Sequence, residues 1–236
     1  MPGTIVEAHT DTQSGEDKLV NVAYFIDHNG GILGRYEKKN LWHPERPHLT
    51  SSTLSPHIAF DTPIGRVGLL ICWDLAFPEA FRELIAGGAK TIIIPTFWTL
   101  SDCSPYGLSV NPRAEALFLE SVLTARAYEN TCAVIFVNAG GPGSSTNPPG
   151  CGLKPKEGAV GPPDTNPAGS HYAGLSRVTV PFVGALGEDT KDSAVEGMSI
   201  VDVNMRHVEE AEENYKIRAD MTENWHYKHP SRNEKL

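Results

Sequence analysis

Gly68-Leu69-Leu70-Ile71-Cys72-Trp73-Asp74-Leu75-Ala76-Phe77-Pro78-Glu79 is the stretch from which the fold is read. Val67 to Ile71 is an unbroken apolar run, the pattern of a buried strand. Beyond it, Pro78 suits the first turn of a helix. Phe77, Ala80, Phe81, Leu84 and Ile85 then recur at helical spacing, and Gly87-Gly88 closes the helix. Cys72 therefore stands at the carboxyl end of a buried strand, where α/β proteins place their ligands. A tight turn there exposes the sulfur and frees the following backbone N–H groups to hold an oxyanion. Taken alone, a cysteine after an apolar strand is more often a packed core residue than a nucleophile.

Working outward, Leu19 to Ile26 and Ile32 to Tyr36 are rich in β-formers. His28-Asn29-Gly30-Gly31 between them gives a hairpin turn. Residues 4–8 and Ile58 to Phe60 read as short strands, and residues 37–57 as a long polar loop. Thr91 to Ile94 and Cys132 to Val137 are further core strands. Between them Asn111-Pro112 reads as the cap and first position of a helix running to about Asn130. The β-α-β-α-β order predicts an α/β fold with helices covering the sheets. Residues 139–169 hold eight glycines and seven prolines in 31 positions and read as an irregular insertion. Val178 to Val180 and Met198 to Val203 read as late strands, 205–214 as a helix, and 228–236 as a loose tail.

Composition narrows the function. The chain has 236 residues, 40% apolar content and a formal net charge of -9, which fits one large domain and no basic nucleic-acid surface. Glu209, Glu210, Glu212 and Glu213 read as a solvated helix face. No run approaches the roughly 18 apolar residues of a membrane span. Cys72, Cys103, Cys132 and Cys151 form no CxxC pair, so neither a metal site nor a disulfide framework is expected. A reducing compartment, the cytosol, is the expected location.

Three segments in order make the chain resemble the nitrilase superfamily of carbon–nitrogen hydrolases. Gly34-Arg-Tyr-Glu-Lys-Lys-Asn-Leu41 is similar to that family's catalytic-lysine segment, Cys72-Trp73-Asp74 with Phe77-Pro78-Glu79 to its nucleophile segment, and Arg126-Ala-Tyr-Glu-Asn130 to a third landmark. Tyr172 to Ser176 and Pro181 to Gly184 resemble a later motif. The resemblance spans about residues 4–206 and implies a nitrilase-like αββα sandwich over 1–206, with a C-terminal helix and tail over 207–236. It implies Cys72 as the nucleophile, Lys38 as the catalytic lysine and Glu45, seven residues on, as an auxiliary glutamate. Trp73 would offer its backbone N–H to the oxyanion, and Phe97 and Trp98 would line the substrate pocket. Only one of the neighbours Lys38 and Lys39 is expected to point into the site, because side chains alternate along extended chain.

The implied activity is hydrolysis of a small amide, nitrile or carbamoyl compound through a cysteine thioester, with no metal or organic cofactor and no nucleic-acid or membrane partner. Self-association, common in the family, is expected too. The family's general-base glutamate lies in an early segment with no counterpart here, and Glu7 is too near the hairpin to serve. The sandwich is therefore expected to lack N-terminal strands and helices. The competing expectation is a catalytically impaired homologue that acts as a binding or oligomer subunit. A glutamine-amidotransferase type is disfavoured, because Ile71 and Trp73 stand where that class favours glycines.

Overall fold

The computed structural model describes residues 2–10, 15–52, 56–140, 172–187 and 198–223. The expected Gly/Pro-rich insertion and the 228–236 tail lie outside them, apart from Ala139 and Gly140. Two sheets form the frame. The first is antiparallel, in the order β1 (Pro2–Thr10), β2 (Asp17–Ile26), β3 (Ile32–Glu37). The second has six strands, β4 (Phe60–Thr62), β5 (Gly65–Leu69), β6 (Thr91–Thr96), β7 (Ala133–Asn138), β8 (Arg177–Val180) and β9 (Gly184–Leu186), hydrogen-bonded in that order. Its central trio β5, β6 and β7 is parallel, and the flanking pairs are antiparallel.

The apolar runs explain this layout. Val67, Leu69, Ile92, Ile94, Val134 and Phe136 are almost fully buried, as parallel strands covered on both faces must be. Helix α1 (Pro78–Ala86) covers one face with Ala80, Phe81, Leu84 and Ile85. It lies so close that a Cβ on Gly68 would stand 2.7 Å from a Leu84 methyl. On the other face the two sheets meet where Phe60 of β4 packs on Gly34 of β3, leaving no room for a side chain there. Ala23, Phe25 and Tyr36 of the first sheet share one core with Val67, Leu69 and Ile93 of the second. Sheets packed face to face, with helices on the outside, make the αββα arrangement.

The hairpin forms as its sequence predicts. Asp27 Oδ1 accepts the N–H groups of Asn29 and Gly31, and Gly30 adopts a φ of 84° that suits glycine. Elsewhere the structure corrects the reading. Asn111 does not cap the long helix; it accepts the Arg113 N–H in a turn, and α3 runs from Ala114 to Glu129. Ahead of it lies an unanticipated short helix, α2 (Pro105–Val110), capped by the Ser104 hydroxyl. Residues 198–203 are not a strand, and Met198 and Ile200 are more than four-fifths exposed. Helix α4 (Arg206–Tyr215) presents Glu209, Glu210 and Glu213 to solvent while Val208 packs with Ala133 and Val180. A further short helix, α5 (Ile217–Glu223), follows it.

Candidate active site

Cys72 stands three residues beyond the end of β5 and opens a 3₁₀ turn over Cys72–Ala76. Its φ is 49°, in the left-handed region that costs a non-glycine residue about 1–3 kcal/mol. Such a strained strand-to-helix turn persists only where its surroundings fix it, and here two side chains do. Asp74, fully buried, accepts four hydrogen bonds: from the Ile71 N–H at 2.9 Å, the Asn40 N–H at 3.0 Å, the Asn40 amide at 2.9 Å and the Tyr36 hydroxyl at 2.9 Å. Burial pushes the Asp74 carboxyl up, while these donors pull the other way. Arg126 of α3 donates to the carbonyls of Leu75 and Ala76 at the far end of the turn, and pairs with Glu129.

Asp74 thus ties the cysteine turn to the chain leaving β3. Lys38, the first residue of that chain, keeps the sheet pairing by donating its N–H to the Asn21 carbonyl. Its side chain is 1% exposed, whereas Lys39 is only half-buried, so the lysine that points inward is Lys38. Lys38 Nζ lies 2.6 Å from Glu45 Oε2, which also accepts the Trp42 N–H at 2.7 Å. Glu45 ends a 3₁₀ turn over His43–Glu45, so a short local turn brings it back to the lysine.

Lys38, Glu45, Cys72 and Trp73 line one cavity of about 460 Å³, with Trp42, Phe97, Trp98 and Asp102. It opens at the carboxyl ends of the parallel strands, where β6 runs out through Pro95 and Thr96. Asn138, at the end of β7, fixes this rim by accepting the Trp98 N–H and donating to the Trp98 carbonyl. Trp98 is buried, with its indole N–H on Glu115; Phe97 is 62% exposed, and its carbonyl accepts the Cys72 thiol at 3.4 Å. Burial pushes the Cys72 thiol up to about 11; Lys38 draws it down, and Glu45 and Asp102 push it further up. Among the described residues no cluster of histidine, cysteine or carboxylate side chains is arranged to hold a metal ion. No described helix is long and apolar enough to cross a membrane.

The carbon–nitrogen hydrolase family model matches residues 3–213. The chain belongs to the carbon–nitrogen hydrolase family. Among relatives of this chain, a probable nitrilase from Schizosaccharomyces pombe is 33% identical over 127 residues, which cover 52% of this chain and 41% of the relative. A deaminated glutathione amidase from Yersinia enterocolitica is 36% identical over 132 residues, covering 52% and 42%. The chain thus matches less than half the length of these curated relatives. A carbon–nitrogen hydrolase from Helicobacter pylori superposes with a TM-score of 0.67 at 21% identity, covering 93% of this chain and 67% of that one. Nit3 of Saccharomyces cerevisiae, a nitrilase-superfamily member, superposes with a TM-score of 0.59 at 18% identity, covering 94% and 65%. The fold is the one those structures share.

Asp74, Arg126 and Asp102 have no role that the sequence motifs mark. Asp74 and Arg126 lay inside the quoted segments, but their bonds join parts of the chain far apart in sequence. Asp102 carried no sequence signal; it reaches the cavity because the chain turns back after β6.

Proposed function

We propose that this carbon–nitrogen hydrolase cleaves the C–N bond of a small amide, nitrile or carbamoyl compound with Cys72 as nucleophile. What supports the reading most is the cavity in which a buried lysine, a carboxylate and the thiol converge. Relatives named as amidases, including a 2-oxoglutaramate amidase from Bacillus subtilis that is 32% identical over 123 residues, favour an amide.

In this mechanism the Glu45 carboxylate takes the thiol proton as sulfur attacks the carbonyl carbon. The ammonium of Lys38 and the Trp73 backbone N–H stabilise the charge on the former carbonyl oxygen. The protonated Glu45 returns its proton to the nitrogen, the C–N bond breaks, and ammonia or an amine leaves a thioester on Cys72. A water then gives a proton to Glu45 and attacks the thioester, releasing the acid and restoring the thiol. From a nitrile, the first adduct is a thioimidate. Phe97 and Trp98 form part of the pocket that holds the rest of the substrate.

The reading extends to a homo-oligomer working in the cytosol, where thiols stay reduced. Tyr106, Val110 and Leu117 of α2 and α3 offer exposed apolar surface for self-association. The deciding experiment supplies the purified protein with small amides and nitriles and follows ammonia. Release by the wild type that Cys72→Ala abolishes is the expected result. No turnover, with Cys72 no more reactive than Cys103 or Cys132, would instead leave a binding or assembly subunit.

A further inference from the structure

The cavity around Cys72 has an uneven charge. Lys38 and Glu45 neutralise each other at 2.6 Å. Asp102 is a second carboxylate on the same cavity wall, and its charge reaches the thiol. One of its oxygens accepts the Thr99 N–H at 2.9 Å. Among the described residues no lysine, arginine or histidine pairs with it. Counted over the described residues, the cavity therefore holds one negative charge more than it balances.

Four of the other lining residues, Trp42, Trp73, Phe97 and Trp98, are aromatic, beside Thr4, Asn21, Ile71 and Thr96. Trp42 and Trp73 stand with ring centroids 4.5 Å apart, and Trp73 and Trp98 5.5 Å apart. All three residues line the cavity together with Phe97. A carboxylate that shares a cavity with tryptophans attracts one kind of group above others. The ring faces are negative, so they favour a cation and discourage an anion, and a cation with alkyl substituents also gains from apolar contact.

We propose that this cavity selects an amide or nitrile whose far end carries a positive charge, an ammonium or quaternary ammonium group seated between Asp102 and the tryptophans. The inference rests on reading Cys72 as the nucleophile of an amide-cleaving site. It adds a specificity-determining residue, Asp102, and a substrate class. A cation in that seat also offsets the carboxylate that opposes thiolate formation, so the substrate helps to activate its own nucleophile.

The test uses three methanethiosulfonates, which form a mixed disulfide with a thiolate and release methanesulfinate. They carry a trimethylammonioethyl, a methyl or a sulfonatoethyl group. The rate at Cys72 is read from the mass of its peptide, and the cation-to-anion rate ratio is divided by that of a free small thiol. A ratio well above one is expected, falling by roughly three- to tenfold in Asp102→Asn, the scale of one partly screened charge. Taking a ratio removes any change in the thiol's own ionisation, and asparagine keeps an acceptor for the Thr99 N–H. A ratio at or below one, or one unmoved by the substitution, would overturn the proposal. In parallel, ammonia release is compared for hexanamide, 6-aminohexanamide and adipic acid monoamide. The highest kcat/KM is expected for the ammonium compound, with that preference reduced in Asp102→Asn; a preference for the carboxylate would also overturn it. Should none of the three release ammonia, the proposed hydrolysis is at fault, and the disulfide ratio alone upholds or rejects the cationic selectivity.

Discussion

Lys38 Nζ lies 2.6 Å from Glu45 Oε2, with the lysine side chain fully buried and the glutamate 27% exposed. The pair is lopsided, and its two halves should respond differently to mutation. Glu45→Leu strands an ammonium with no water to solvate it, which costs about 3–5 kcal/mol. Lys38→Met leaves a carboxylate that water still reaches and that keeps the Trp42 N–H, so a smaller loss is expected. Adding Lys38→Met to Glu45→Leu should recover stability. Urea unfolding of the three variants checks this order; a double variant less stable than Glu45→Leu would contradict it.

The Cys72 thiol is pushed up to about 11, chiefly by burial, with Lys38 pulling it down. Only the thiolate is nucleophilic. Its alkylation by iodoacetamide should therefore climb by about tenfold per pH unit from pH 7 to 10 without a plateau. Lys38→Met removes the cation that favours thiolate and should slow the reaction at every pH in that range. Peptide mass spectrometry at Cys72 gives the rates. A plateau below pH 8 in the wild type would contradict a thiol held that high.

Asp74 collects four donors from Ile71, Asn40 and Tyr36. Asp74→Ala leaves those buried donors unpaired at once, for an expected loss of about 3–5 kcal/mol. Asp74→Asn keeps the shape but turns an NH₂ group toward donors, and should be intermediate. Because the same carboxylate joins the cysteine turn to the lysine segment, the asparagine variant should also lose selective Cys72 alkylation. Full wild-type stability in Asp74→Ala would remove Asp74 from this role.

Gly68 and Gly34 mark close approaches between layers of the sandwich. A Cβ at Gly68 meets Leu84, and one at Gly34 meets the Phe60 ring. Each alanine variant should lose about 1–3 kcal/mol through overpacking. Gly34→Ala should be the worse, because an aromatic ring moves aside less readily than a leucine methyl. Thermal melting distinguishes the two, and equal melting temperatures to wild type would show that the sheets sit farther apart.

Much of this architecture was legible in the residues because buried parallel strands announce themselves as apolar runs. β5, β6 and β7 were found that way, and the hairpin from its Asn29-Gly30 turn. Short or irregular elements were not. β9 has three residues and α2 six, too few to show a period, and α2 depends on a cap at Ser104 inside a polar stretch. The run Met198 to Val203 reads as a strand because it is rich in apolar β-formers, yet no strand pairs with it among the described residues. The site followed the same division. Cys72 and Lys38 stood in motifs with recognisable spacing. Asp74, Arg126 and Asp102 act through bonds and fields across 30 to 51 positions, which no local pattern records.

The central claim is that Cys72 carries the acyl group. Rapid acid quenching of the protein with an amide it hydrolyses, followed by intact-mass and peptide measurement, reads this directly. The expected result is an adduct equal to the substrate minus ammonia, located on Cys72, absent from Cys72→Ala and lost on further incubation in water. Ammonia release that proceeds with no adduct at Cys72, or that survives Cys72→Ala, would contradict the account.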